Sequence, residues 1–227
     1  MIIDIVVPVH NESLFIEGFL KEMFKEHKTL DLIRNIIFVD DGSTDDTANI
    51  IKNYKNKKIK LISNKKNYGK GYAMRCGLAK ARNKHADAVI FMDGDRQHNP
   101  KHLSKFIKYL KNNKIVLGYR KLTKEAPYFR KLGNKVAKFL FRVFFNIRRH
   151  DLLCGFIALR KDVYNDILWE SNDYGVEIEI SAIIAKKRIP FKEILIDTLY
   201  LDIKKGVTLT KAFFISLKIP YWYLSYK

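Results

Sequence analysis

A chain of 227 residues, 47% hydrophobic and 30% charged, carries enough apolar surface for one folded domain, which excludes a disordered segment. No apolar run of about 18 residues is present to span a bilayer, and no secretory leader, internal repeat or Gly/Ser-rich linker is recognised. The formal net charge of +19 calls for a polyanionic neighbour, and nucleic acid, anionic lipid and phosphate-bearing substrates all qualify.

Residues 2–7 form a short apolar run rich in β-branched side chains, followed by Pro8. From Asn11 the apolar spacing changes to Leu14, Phe15, Ile16, Phe19, Leu20, Met23 and Phe24, which reads as strand, loop and helix. Residues 35–39 are a second strand, Asp40-Asp41-Gly42-Ser43 a turn, and residues 44–54 a helix with Asp45 and Asp46 in its first turn, where they suit the helix dipole. A strand at 59–63, a helix at 71–82, a strand at 88–92, a helix at 101–110 and a strand at 115–118 follow. Alternating β and α units predict an α/β fold with a mostly parallel sheet and helices on both faces. The lysines at 52, 55, 57, 58, 60, 65, 66 and 70 read as a solvated face. Cys76 and Cys154 have neither metal-type nor redox spacing and are read as reduced packing residues, which suits the cytoplasm.

Ligands of such sheets bind beyond the carboxyl ends of the strands. Three polar sets sit there: Pro8-Val9-His10-Asn11-Glu12, Asp40-Asp41-Gly42-Ser43 and Asp93-Gly94-Asp95-Arg96-Gln97. Acidic groups at neighbouring strand ends repel unless a cation offsets them. Asp93, Asp95 and Gln97 offer oxygen ligands at alternate positions, the donor type that Mg²⁺ or Mn²⁺ prefers, with a diphosphate supplying the remainder. A phosphatase of the haloacid-dehalogenase type is excluded, because Arg96 and Gln97 follow the second aspartate where that motif has Gly and Thr.

The succession Val7-Pro8-Val9-His10-Asn11-Glu12, Val39-Asp40-Asp41-Gly42-Ser43-Thr44-Asp45, Met92-Asp93-Gly94-Asp95-Arg96-Gln97-His98 and Gly118-Tyr119-Arg120 resembles glycosyltransferase family 2. More narrowly it resembles the polyprenyl-phosphate (dolichyl-phosphate) mannose and glucose synthases. Arg130 and Asp151-Leu152-Leu153-Cys154-Gly155-Phe156 extend the likeness into the second half. The resemblance implies a single GT-A-type, Rossmann-like domain over residues 1–227, with a nucleotide-sugar half at 1–120 and an acceptor and membrane-surface half at 121–227. It implies that Pro8, His10, Glu12, Val39 and Asp41 line the nucleotide pocket. Asp93, Asp95 and Gln97, with Gly94 between the aspartates, would hold the metal and diphosphate, and Arg120 would face the phosphates. Glu177 and Glu179 fall where the family opens a helix near the acceptor. The family commonly has an arginine and then Gly-x-Ser-Lys near the end of the site; here the stretch is Asp202-Ile203-Lys204-Lys205-Gly206, and Lys204 and Lys205 are read as its cationic substitutes.

The implied reaction is inverting transfer of a hexose from a GDP-mannose or UDP-glucose type donor to a polyprenyl phosphate, with Asp95 and Arg120 as catalytic groups. A phosphate monoester is already anionic near neutral pH, so no strong base is required. The alternative acceptor, a glycan or lipid-linked sugar hydroxyl, needs a base such as Glu177 or Glu179. Nucleic acid is not expected as a partner, because the basic residues lack a recognised RNA-binding motif and the polar strand ends are acidic.

The segment 129–149 predicts an amphipathic helix. Phe129, Leu132, Val136, Phe139, Leu140, Val143, Phe144 and Ile147 share one arc, and Lys131, Lys135, Lys138, Arg142 and Arg149 a stripe opposite. Phe141 and Phe145 fall beside the basic stripe and are expected to dip into lipid. With the tail at 213–223, too short and interrupted to span a bilayer, this segment predicts a peripheral protein on the cytoplasmic face of an anionic membrane.

Overall fold

The computed structural model describes residues 1–120, 128–197 and 209–226. Strand β1 (Ile3–Val9) lies inside a parallel ladder between β2 (Ile33–Asp40) and β4 (Ala88–Phe91). Both of its faces are buried, which explains an apolar run, interrupted only by Asp4, in place of alternation. With β3 (Ile59–Ser63), β5 (Ile115–Arg120), β6 (Ile157–Arg160) and β7 (Lys192–Ile196), the sheet has the order β3-β2-β1-β4-β6-β5-β7. β6 runs antiparallel to both neighbours and the other pairings are parallel. The mostly parallel, helix-covered sheet expected from the sequence is present. The sequence reading did not find β6 and β7: each is short, four and five residues, and no alternating pattern marks it.

The connecting helices are α1 (Ser13–Lys25), α2 (His27–Leu30), α3 (Thr47–Asn53), α4 (Lys70–Asn83), α5 (Leu103–Leu110), α6 (Tyr128–Phe145), α7 (Val176–Lys186) and α8 (Leu209–Ser225). One sheet face packs Ile5, Val7 and Ile90 against Phe19 and Met23 of α1 and Phe106 of α5. The other packs Val6, Ile37 and Phe91 against Ala73 and Met74 of α4 and Ile180 and Ile183 of α7. A third cluster joins Ala137 and Phe141 of α6, Ile178 and Ala182 of α7, and Ile215, Ile219 and Trp222 of α8.

That third cluster corrects the expectation for the segment 129–149. Phe141 is fully buried, and Phe145 stacks on it at 4.6 Å and meets Tyr223 of α8. What α6 exposes instead is Leu132, Val136, Phe139 and Val143 from the predicted apolar arc, with Lys135 and Arg142 beside them. Leu132 and Phe141 stand about two and a half turns apart, so the helix buries one side and leaves those four residues outside, while Leu140, Phe144 and Ile147 of the same arc pack against the third cluster. Arg149 is also not in the basic stripe. α6 ends at Phe145, Asn146 takes φ 54°, and the chain turns Arg149 inward to Glu193 (2.8 Å), Ser181 Oγ (2.9 Å) and the Asp151 carbonyl (3.2 Å). Among the described residues no helix is long and apolar enough to cross a membrane. Cys76 and Cys154 are free thiols, as expected.

Candidate active site

The direction in which the sheet grows reverses between β1 and β4, the position where open α/β sheets take ligands. Beyond it lies a cleft of about 610 Å³, the size of small-molecule sites. Pro8 and Val9 line it from the end of β1, His10, Asn11 and Glu12 after β1, Asp41 after β2, and Asp93, Gly94 and Asp95 after β4. The opposite wall is Asp173 and Tyr174 before α7 and Phe214, Ile215 and Lys218 of α8.

The first two loops are tied to each other. Asn11 adopts φ 54°, which asparagine tolerates, and its backbone N–H donates to Ser43 Oγ at 2.9 Å while its side-chain oxygen accepts from the Thr44 N–H at 2.8 Å. His10 Nδ1 donates to the Asp41 carbonyl at 2.9 Å. The Asp41 carboxylate accepts from Asn64 Nδ2 (2.8 Å) and from the backbone N–H groups of Tyr68 (3.1 Å) and Gly69 (2.6 Å). Asp41 thereby fixes the approach to α4.

That approach delivers a residue the sequence reading misplaced. Lys70 is not part of a solvated face: its ammonium lies 2.6 Å from Asp93 Oδ1 and 2.6 Å from Glu177 Oε1, with 13% of the side chain exposed. Gly71 makes this possible, since a Cβ there would stand 2.0 Å from the Ser171 carbonyl oxygen and push α4 off the segment it packs against. Gly155 does the same from below, where a Cβ would come within 2.7 Å of Lys70 Nζ and 2.9 Å of Asp93 Oδ2. Gly69-Lys70-Gly71 at a helix start beside the acidic strand ends is the signal that marks this lysine.

The charges in the cleft are strongly perturbed. Burial works to raise Asp93, but Lys70, His98 and Arg120 hold it down to about 2. Burial and the neighbouring Asp93 charge push Asp95 up to about 6. Burial also raises Glu177, against the attraction of Lys70. Lys70 is itself raised, because Asp93 and Glu177 outweigh a burial that works to lower it. Behind Asp93, His98 Nδ1 accepts the Asp93 backbone N–H at 3.1 Å, and burial pushes this imidazole down to about 4, so it is neutral at pH 7.

Among the described residues no group of three or more His, Cys, Asp or Glu side chains gathers as a self-sufficient metal cage. Asp93 and Asp95 nevertheless fit a hard divalent cation. They are two oxygen donors at one strand end, and the one that burial and like charge disfavour in ionised form gains most from a cation. Gln97 is buried and does not line the cleft, and its N–H donates to Asp95 Oδ1 at 2.9 Å. Val39 is not in the cleft wall either. Its fully buried side chain faces α4 in the core, because successive strand residues point to opposite sides of the sheet. Arg120 does not line the cleft. Asp151 holds its guanidinium through Nε at 2.7 Å and Nη2 at 3.2 Å, and Nη2 also donates to the Leu153 carbonyl at 2.9 Å. Its charge favours the ionised forms of Asp93 and Asp95. Glu177 and Glu179 separate cleanly: Glu177 meets Lys70, whereas Glu179 accepts the backbone N–H groups of Glu170 and Ser171, at 2.8 Å each, and the Tyr226 hydroxyl. Lys204 and Lys205 lie outside the described residues, and nothing is described of the side chains of Phe129, Arg130 and Lys131.

Known proteins resemble this chain in sequence and in fold. An uncharacterized protein of Methanocaldococcus jannaschii is 32% identical over 211 residues, covering 87% of this chain and 88% of that protein. Undecaprenyl-phosphate 4-deoxy-4-formamido-L-arabinose transferase of Proteus mirabilis is 26% identical across 73% of this chain and 51% of its own. Dodecaprenyl-phosphate galacturonate synthase of Rhizobium johnstonii is 25% identical across 73% of this chain and 49% of its own. The chain thus spans about half the length of these two relatives. Glucosyl-3-phosphoglycerate synthase of Mycobacterium tuberculosis, crystallised with Mn²⁺, UDP and glucosyl-3-phosphoglycerate, shares the fold with a TM-score of 0.75 at 20% identity, over 98% of this chain and 78% of that one. The GT-A-like, Rossmann-type sheet is therefore the fold. The sequence model described as "Glycosyl transferase family 2" matches residues 4–168, from β1 through the acidic strand ends to the segment before α7, and on this ground the chain belongs to glycosyltransferase family 2.

Proposed function

We propose that this glycosyltransferase moves a hexose from a nucleoside-diphosphate sugar to a polyprenyl phosphate at the cytoplasmic surface of a membrane. The observation that carries the reading is a cleft with Asp93, Asp95 and Lys70 at its floor and α8, a helix exposing Leu217, Tyr221 and Leu224 to the outside, as one wall. Two prenyl-phosphate relatives support the acceptor class. The donor is of the GDP-mannose or UDP-glucose type, with its nucleoside against Pro8, His10, Glu12 and Asp41 and its diphosphate toward Gly94 and the aspartates.

Asp93 and Asp95 would hold Mg²⁺ or Mn²⁺, with Gln97 steadying Asp95 through its backbone N–H; the ion would supply charge to offset that building on the departing nucleoside diphosphate. Lys70 keeps a cation at Asp93 and Glu177, and Arg120 contributes through its field. Lys204 and Lys205 are proposed to add positive charge at the phosphates. An acceptor phosphate oxygen forms the new bond to the anomeric carbon as the bond to the diphosphate oxygen breaks, with inversion. The nucleophile is already anionic, so no proton need be removed. The hydroxyl-acceptor reading rests on Glu177, whose raised pKa suits a base; its engagement by Lys70 at 2.6 Å favours the phosphate reading.

The test is to incubate the protein with Mg²⁺ or Mn²⁺, a short-chain polyprenyl phosphate and a panel of radiolabelled sugar nucleotides. Label should enter the lipid phase, vanish in excess EDTA and vanish in Asp95→Ala with the fold retained. Glu177→Gln should cost less than the roughly 10²- to 10⁴-fold of a lost general base. Label in a glycan hydroxyl product with none in prenyl phosphate would overturn the reading.

A further inference from the structure

The outward side of α8 combines apolar character with one charge in an unusual position. Phe214, Leu217, Lys218, Tyr221 and Leu224 follow a spacing of three and four residues and share an exposed arc, while Ile215, Ile219 and Trp222 on the inner side are buried against α6 and α7. Leu217, Tyr221 and Leu224 are 53%, 57% and 77% exposed, a cost in water that a surface helix normally avoids. Phe214, Ile215 and Lys218 of the same helix line the donor cleft, so the apolar arc runs without a break to the cleft mouth. Lys218 is the charged member of that arc. Its ammonium is 3.2 Å from Asp173 Oδ2, with 44% of the lysine and 52% of the aspartate side chain exposed. Asp173 Oδ1 already accepts the Gly175 N–H at 2.8 Å, so this carboxylate keeps a partner when the lysine leaves.

Resting on the acceptor class proposed above, we infer that α8 is the entry ramp of the acceptor. The prenyl chain lies on Leu217, Tyr221 and Leu224, and Lys218 exchanges Asp173 for the acceptor phosphate at the cleft mouth. Three features on the structure converge on this. The apolar arc matches a chain with no hydrogen-bonding groups. A partly exposed ion pair such as Lys218–Asp173 is weak enough to exchange, whereas a dianionic phosphate makes the stronger, charge-assisted bond. The cation stands where the apolar surface meets the cleft that holds Asp93 and Asp95, which is where a lipid phosphate must halt for its oxygen to reach the donor.

The experiment uses the full chain in two arms. In the first, initial rates are measured for wild type, Lys218→Ala and Leu217→Ser with a long-chain polyprenyl phosphate in vesicles and with a short, water-soluble prenyl phosphate. Lys218→Ala should raise the acceptor KM roughly tenfold or more with both acceptors, the loss of one charge-assisted hydrogen bond, and leave the donor KM within about twofold. Leu217→Ser should raise KM with the long-chain acceptor alone. A raised donor KM with an unchanged acceptor KM would instead place Lys218 on the donor diphosphate and overturn the inference. In the second arm, flotation with phosphatidylcholine vesicles with and without polyprenyl phosphate reads binding without turnover. The increment from polyprenyl phosphate should disappear in Lys218→Ala, whose circular dichroism and urea midpoint report its fold. Wild-type transfer to prenyl phosphate with no Lys218 effect in either arm sinks the ramp and leaves the proposed function standing. A Lys218-dependent flotation increment with no transfer sinks the acceptor assignment, and with it the ramp as an acceptor path, leaving only prenyl-phosphate binding at Lys218.

Discussion

Asp45 shows how a single side chain prepares the site without entering it. Its carboxylate accepts the backbone N–H of Ser13 at 3.0 Å and of Thr47 at 3.1 Å, as well as the Thr47 hydroxyl, so the starts of α1 and α3 share one anchor. Burial works to raise its pKa, but hydrogen bonds from Thr47 and Ser13 prevail and lower it from 3.8 to about 2. A carboxyl depressed in the folded state stabilises above its unfolded pKa and loses that contribution as pH falls through the folded one. Asp45→Ala should therefore cost about 2 kcal/mol at pH 7, the scale of hydrogen bonds to a charged group. In urea titrations its gap from wild type should narrow as pH falls from about 4 toward about 2. A gap unchanged over that range would deny the carboxylate this role. Asp45 was visible in the sequence as an acidic helix-start residue, yet its tie to Ser13 was not, because the two residues meet only once β1 and β2 are side by side.

At the scale of elements, α6 separates what periodicity reveals from what packing decides. The apolar arc and basic stripe of 129–149 are in the sequence, but periodicity alone does not say which arc faces the protein. Small Ala137 lets α6 close on α7 and α8, and that choice buries Phe141 and turns Phe139 outward. Phe141→Ala should thus lower stability by about 3 to 5 kcal/mol through the cavity it leaves, whereas Phe139→Ser should stay within about 0.5 kcal/mol. Equal urea midpoints for the two variants would contradict the packing. α4 teaches a similar lesson. Its helical pattern was legible from residue 71 onward, while Lys70, the first residue of α4 and the one that meets Asp93, belongs to a lysine-rich stretch that reads as solvent-facing.

Across the whole molecule, the proposed membrane association draws on the net charge of +19 and the exposed apolar stripes of α6 and α8. Electrostatic attraction to anionic headgroups is screened over a Debye length of about 8 Å at physiological salt, so association should weaken with added salt. Co-sedimentation with anionic vesicles should fall as salt rises and fall further in a Phe139→Ser, Val143→Ser variant. Equal pelleting with neutral and anionic vesicles at low salt would remove the charge from the account. The sequence by itself determined the α/β order of the first 120 residues, the acidic strand ends and the family, because buried parallel strands need continuous apolar runs and a charge-rich cleft needs its residues directly after them. The tertiary contacts settle that Val39 faces the core, that Arg120 is held by Asp151, that Glu177 and not Glu179 meets Lys70, and that Lys70 joins Asp93. Each of these depends on contacts between segments far apart in the chain, and the spacing of residues within one segment carries no record of which distant segment will pack against it.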